Sequence, residues 1–516
     1  MFGVGGGRRG GGDIGLPMVP APVSWSALCA ITALAFGLRL YGLGHQSLWM
    51  DEVLTATNAA HPLRQLLFDS SVDHNFPPLY TALIHMSQQW LGLSDVVLRL
   101  PSALAGTLSV PVLYAGVRAE LGERTALVSA LLFAISPFHV WYSQEARPYA
   151  LLVLLGLTAL WCAARFVERP DSRARLATFV LAAAAAFYCH LVAAPFLLVL
   201  AGYLLARVPR AGRPAAVAGI LGLGVLLLPQ VLEFVSTPPL GSGNPDYRFN
   251  PAHVGYTAWA FATGYSLGPS LLELREGMQG LKLYLWLIVP IMLLLGAIAV
   301  LGARTIWRDH RATFWLLVAW IVGPIAFAVA GAITTAHPYN VRYAILAMPA
   351  ALVLLGSGLL ALKPLPIKIL SSLAVIAMSA TGLINYYSAP KYHREDNRAA
   401  ARFLNANASR GDVVVASAPY TALPLRYYRL RDDLKLVRYP DTGMVSQGRP
   451  LRDLDPMLRG RERVWLFLSR TFHSDPGGEI VKYMDSAFML RQEFTAAGVR
   501  VLLYSRRRDP LPTGPK

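Results

Sequence analysis

Cysteine is nearly absent. The 516 residues include three, Cys29, Cys162 and Cys189, all in or beside apolar stretches and without a C-x-x-C or Cys/His spacing. Neither a disulfide framework nor a zinc site is encoded. Charge is scarce as well: 15% of residues are charged against 54% hydrophobic, and the mean hydropathy is +0.43. That composition excludes an ordinary soluble enzyme. Acidic residues are the scarcer sign, 30 against 47 basic, which leaves a net charge of +17. In a chain rich in apolar runs such an excess reports membrane topology and anionic headgroups, so no nucleic-acid partner is expected. The sequence also lacks a convincing internal repeat and a small-residue cleavage site after its first apolar run, so the first helix is expected to be retained rather than removed as a signal peptide.

What is present is a series of apolar stretches of about 20 residues, the length that crosses a bilayer as helix. Candidate crossings fall at 25–43, 97–117, 125–142, 149–166, 176–189, 191–206, 214–232, 282–301, 313–333, 342–362 and 366–387, eleven in all. The Gly-rich residues 1–24 form the expected disordered cytoplasmic tail. With that tail inside, one set of loops carries Arg118 and Arg124, then Arg165, Arg169, Arg173 and Arg175, then Arg207, Arg210 and Arg213, then Arg304, Arg308 and Arg311, while the opposite loops hold few basic residues. This is the positive-inside pattern. It assigns "PPLYTALIHMSQQWLG", residues 77–92, to an outer interfacial helix, because a crossing there would reverse every later loop. After Tyr387 the composition becomes mixed, and residues 391–516 form an expected small α/β domain outside. Its strands are "GDVVVASAP", "RVWLFLSR" and "GVRVLLYSRR", and "EIVKYMDSAFMLRQEF" reads as an amphipathic helix. The expected fold is therefore an all-α polytopic membrane protein of about eleven transmembrane helices, spanning 25–390, with outer-face interfacial helices in the 44–96 loop and a small C-terminal α/β domain.

The conspicuous polar residues gather on the outer face. "WMDE" puts Asp51 and Glu52 just past the first helix, "DHNFPPLY" contributes His74, "SQEARPY" Glu145 and Arg147, "YCH" His190, and "TTAHPYNVRY" His337, Tyr339, Arg342 and Tyr343. Singly, each has an unremarkable explanation, such as a helix-dipole carboxylate or an arginine anchored to lipid phosphate. Together, ionisable groups beside apolar helices mark a functional face. A transporter or lipid flippase without covalent chemistry is the rival reading, but it would place such groups near the midplane of discontinuous helices and show repeated halves.

Carboxylate and arginine beside a bilayer suit a sugar carried on a lipid phosphate. The tail lies between helices and Arg neutralises the phosphate. Because the phosphate is a good leaving group, one carboxylate base acting on the acceptor hydroxyl suffices, whereas a glycosidase needs two carboxyl groups. Asp51 is the expected base, with Arg147 or Arg342 stabilising charge on the phosphate.

At "LWMDE", "HNFPPLY", "RLPSALAG", "SQEARPY", "YCH", "VRY" and "DNRAAARFLNANASRGDVVV" the chain resembles the lipid-phosphate-sugar-dependent glycosyltransferases of the membrane C superfamily, most closely the bacterial members of family 39. These are similar to protein O-mannosyltransferases and to the aminoarabinose transferase that modifies lipid A. The resemblance implies a membrane glycosyltransferase C fold, catalytic residues Asp51, Glu52 and Glu145, and donor contacts from His74, Arg147, His190, Tyr339, Arg342 and Tyr343. It implies a polyprenyl-phosphate-linked sugar donor, an acceptor that is a protein, lipid A or a polysaccharide, and surrounding membrane lipids as partners. No metal or other cofactor is expected to be required. The chain has HNFPPLY where the protein O-mannosyltransferases of fungi and animals carry a His-Pro-Pro-Leu-Gly-Lys run, so one phosphate-binding cation of that pattern is missing. The expected location is the bacterial inner membrane, with the site and the C-terminal domain extracytoplasmic.

Overall fold

The computed structural model describes residues 22–69, 77–236, 249–276, 281–335, 338–440, 451 and 454–506. Most of the tail expected over 1–24 falls outside the described residues, as do His74 and His337. Helices stand at each of the eleven stretches expected to cross. They are α1 (Pro22–Leu40), then, after the shorter helices α2 (Met50–Asn58), α3 (Leu63–Phe68) and α4 (Pro78–Leu91), α5 (Asp95–Leu121), α6 (Glu123–Ala134) with α7 (Pro137–Ser143), α8 (Tyr149–Glu168), α9 (Arg173–Cys189), α10 (Ala194–Arg207) and α11 (Arg213–Ser236). The short helices α12 (Ala252–Thr263) and α13 (Leu271–Glu276) precede α14 (Leu285–Asp309), α15 (Arg311–Thr335), α16 (Met348–Ala361), which continues a 3-10 turn over Val341–Ala347, and α17 (Leu365–Ser388). By length and apolarity seven described helices can cross a membrane, eight if the pair α6 and α7 counts as one, while 25–40 and 191–207 are apolar but shorter. The chain is thus a multi-pass membrane protein.

The third stretch is broken, not continuous: α6 and α7 meet at a 59° bend. α6 ends at its C-cap residue Ile135 and Ser136 caps the next helix, its side chain accepting from His139 N, and Pro137 follows at the first helical position, where its missing N–H costs nothing. The break orphans the Ala134 carbonyl, and the fully buried Arg39 of α1 takes it up at 3.1 Å while also bonding Ala35 O, Ser143 Oγ and His139 Nδ1. Elsewhere small residues allow helices to touch backbone to backbone. A Cβ on Gly358 would lie 1.9 Å from Ile298 O, and one on Gly302 would lie 2.1 Å from Leu354 O, so α14 and α16 cross too closely for any side chain there.

Beyond α17 the chain builds α18 (Asn397–Asn407) and a five-stranded sheet of β1 (Val413–Ala416), β2 (Lys435–Arg438), β3 (Arg463–Ser469), β4 (Phe488–Ala496) and β5 (Val499–Arg506), with α19 (Ala422–Tyr427) and α20 (Glu479–Ala487). The strand order is β2-β1-β3-β5-β4. β1 runs parallel to β2 and β3, and β5 antiparallel to β3 and β4. The stretch expected to be one helix over 479–494 divides at Ala487. Gly498, at φ +62, turns the chain so that Phe488–Ala496 pairs with the buried β5, and this pairing outweighs local helical preference. The short strand β2 was not expected.

Candidate active site

Helix α2 places its two acids in the first turn, Asp51 and Glu52, where the helix dipole favours carboxylates. Neighbours on a helix diverge by about 100°, so the two leave α2 in different directions. Glu52 points inward and is fully buried. Arg99 of α5 meets it with a two-pronged fork, Nε to Oε1 and Nη2 to Oε2 at 2.7 Å each, Ala146 N donates to Oε1 at 2.8 Å, and Trp49 N donates to Oε2 at 3.3 Å. The remaining Arg99 N–H groups hold the carbonyls of Leu43, Gln46 and Ser47. Burial pushes the Glu52 carboxyl up, but Arg99, with Arg394 and the Ala146 amide, reverses this and holds it below the ordinary carboxylate range.

Asp51 points outward. Its carboxylate keeps 23% exposure, against 0% for Glu52 and 3% for Glu145, and Arg342 Nη1 donates to Oδ2 at 2.9 Å. Arg147 lies on the same side, with Nη1 donating to Thr55 Oγ1 at 3.1 Å and to Asp51 O at 3.3 Å. Burial again raises the Asp51 carboxyl, and the guanidinium groups of Arg342, Arg147 and Arg470 bring it below its ordinary value. Three cations therefore act on one carboxylate.

Arg342 is aimed by a capped turn, since Asn340 Oδ1 accepts from Arg342 N at 3.2 Å. Its guanidinium lies over the rings of Tyr343 and Tyr149, at 5.4 and 5.7 Å. His190 packs 5.4 Å from Tyr149 and 6.3 Å from Tyr343, and its Nδ1 accepts from Val192 N at 3.3 Å. Burial, then Arg147 and Arg342, push its pKa down to about 3, so the ring is neutral at physiological pH. Asp51, Arg147, His190, Arg342 and Tyr343 thus come together as one cluster. Tyr339 turns aside instead: its hydroxyl bonds Thr257 Oγ1 at 2.8 Å and its ring stacks on His253 at 5.7 Å. A small cleft opens beside Arg147 and Thr55, walled by Leu54, Tyr80, Pro148 and Cys189.

Glu145 belongs to the inner side. Trp141 Nε1 donates to Oε1 at 2.9 Å, Arg394 Nη2 bonds the same oxygen, and Oε2 is buried with no hydrogen-bond partner among the described residues. Burial, opposed by Arg394 and reinforced by Glu52, raises its pKa. Three arginines of these constellations were not singled out as site residues from the sequence. Arg99 stands in the quoted "RLPSALAG" stretch and was legible there. Arg394 and Arg470 lie beyond α17, and no local pattern marks them. Among the described residues no group of three His, Cys, Asp or Glu is arranged to hold a metal ion.

The family profile described as dolichyl-phosphate-mannose-protein mannosyltransferase matches residues 75–232. No curated protein matches the sequence significantly. Among solved structures, ArnT from Cupriavidus metallidurans bound to undecaprenyl phosphate is 15% identical, with a TM-score of 0.54 over 94% of this chain and 98% of its own. Its apo state gives 0.55 at 14% identity, over 93% and 98%. The oligosaccharyltransferase of Archaeoglobus fulgidus in its apo form gives 0.55 at 11% identity, over 95% of this chain and 75% of its own. At such identities the likeness is one of fold.

Proposed function

We propose that this chain, a membrane glycosyltransferase of the C superfamily, transfers a sugar with inversion from a polyprenyl-phosphate donor to an acceptor hydroxyl at the outer face of a bacterial inner membrane. The division of labour follows the expected domains, with residues 25–390 holding the lipid-linked donor and 391–516 covering the site from outside. The acceptor is a protein, lipid A or a surface polysaccharide.

One observation carries the inverting reading: of the three expected catalytic carboxylates, only Asp51 is both partly exposed and held ionised. Glu52 is saturated by Arg99 and the Ala146 amide, and Glu145 is buried against Trp141 and Arg394, so neither is free to serve as a nucleophile or as a second acid. Because a phosphate leaves without being protonated, a single displacement here needs no second carboxyl group to act as acid, unlike a glycosidase. Asp51 takes the acceptor proton, the acceptor oxygen bonds the anomeric carbon, and the bond from that carbon to the phosphate oxygen breaks. The electron pair stays on the phosphate, which gains one unit of negative charge, and Arg342 and Arg147 stabilise it. A carboxylate clamped by arginine is a weak base. When the donor phosphate draws Arg342 away, Asp51 regains basicity, so donor binding itself activates the base.

Mass spectrometry of polyprenyl-phosphate sugars and envelope glycans in a deletion strain tests the reading. The donor is expected to accumulate and one glycan to vanish, with rescue by wild-type protein and none by Asp51→Asn. Unchanged glycans and donor pools in the deletion strain sink it.

A further inference from the structure

Arg470 is delivered to the site by the C-terminal domain, and its surroundings are unusual. It follows the last residue of β3 and adopts φ 54 and ψ 35, a left-handed backbone that strains a non-glycine residue and that concentrates at functional sites. Ser469 is pinned on the near side by bonds exchanged with Ser417, each 3.2 Å, so the turn is fixed where the carboxyl ends of the parallel strands β1 and β3 meet the membrane body. Crevices outside the carboxyl ends of parallel strands are where α/β sheets bind ligands. The guanidinium sits over the rings of Trp49 and Phe472, at 5.8 and 5.9 Å. Its nearest carboxylate oxygen, Glu395 Oε1, is 3.8 Å away, beyond hydrogen-bond length, and its Nε is buried with no hydrogen-bond partner among the described residues. Trp49 Nε1 beside it is buried and unpartnered in the same way. Buried donors without acceptors call for a ligand that supplies them.

We propose that Arg470 is a substrate-contacting residue, held by the C-terminal domain above Trp49 to bind a phosphate oxygen of a substrate that enters between that domain and the membrane body. The assignment rests on the transferase reading above and extends it: the outer domain is part of the active site, not only its cover. The phosphate belongs either to the lipid-linked donor or to the acceptor, and the two sources are separable.

The test uses full-length protein in nanodiscs with two probes, undecaprenyl phosphate without sugar, and inorganic phosphate added after the lipid site is saturated. Arg470→Gly suits the left-handed backbone, so its thermal midpoint is expected to match or exceed that of wild type while affinity for one probe falls at least tenfold. Arg470→Lys, which keeps the charge, is expected to recover much of that loss. Loss toward the lipid assigns the contact to the donor phosphate. Loss confined to inorganic phosphate assigns it to the acceptor. Wild-type affinity of Arg470→Gly for both probes overturns the proposal while leaving the transferase reading in place. A wild-type protein that binds no undecaprenyl phosphate overturns the transferase reading and this assignment with it.

Discussion

Asp51 and Glu52 share a helix turn and a chemistry, yet one is reachable and the other sealed. Around Glu52 the fold supplies a forked arginine, two backbone amides and complete burial, and the carboxylate in return anchors Arg99, which gathers the carbonyls of the loop behind α1. Around Asp51 the fold supplies arginines that an anionic substrate can claim. A buried ion pair whose partners have no alternative organises structure. An ion pair at the rim of a site, with a surplus of cations, is poised for exchange.

The comparison is broken most severely by substituting each acid in turn. Asp51→Asn is expected to reduce transfer by about 10²–10⁴-fold, the worth of a general base, with an unfolding midpoint close to wild type. Comparable turnover would remove Asp51 from the mechanism. Glu52→Ala reverses the pattern: stability falls by roughly 3–5 kcal/mol because Arg99 is left buried without its partner. The pair Glu52→Gln with Arg99→Met is expected to be less destabilised than either single change, and a strictly additive loss in thermal unfolding would show that the two do not act as a unit.

Smaller effects sharpen the contrast through pH. Asp51 titrates below its ordinary value of about 4 because of its arginines, so the acidic limb of kcat/KM, which reports the free enzyme, is expected below pH 4. The acidic limb of kcat is expected higher, since bound donor draws Arg342 from Asp51. Arg342→Ala should raise the free-enzyme limb toward the kcat limb, whereas coincident limbs in the wild type would contradict activation by donor binding. For folding, Glu52 has a lowered pKa, so its contribution is full above the ordinary carboxylate range and is lost as pH falls through the lowered value. Glu145, raised by burial, acts with the opposite sign: stability declines as pH rises from the ordinary carboxylate value through the raised one. Chemical or thermal unfolding across pH 3–7, roughly the span of these titrations, should show Glu145→Gln flattening that decline.

Much of the fold was legible because a bilayer imposes a simple rule: helices must be long and apolar, and their flanking arginines report sidedness. That rule located the eleven apolar stretches now seen as helix, the further helix α4, and the short connecting segments that carry Asp51, Arg147, His190 and Arg342, but not α12, α13 or α18, which are too short to register as crossings. It could not reveal the break at Ser136, which depends on Arg39 reaching from another helix to the freed carbonyl, or the strand over Phe488–Ala496, which depends on β5 lying beside it. Nor could it distinguish two adjacent acids.

The sequence by itself determined the membrane class and picked out most of the polar residues that cluster between the helices, because periodicity and charge bias are local properties of the chain. The tertiary structure decided their roles. Arg99 closes over Glu52 from 47 residues away, Arg342 reaches Asp51 from 291 away, and Arg394 and Arg470 come from beyond the last membrane helix. Whether a carboxylate is ionised, reachable or locked depends on burial and on neighbours in space, and only the folded chain brings those neighbours together.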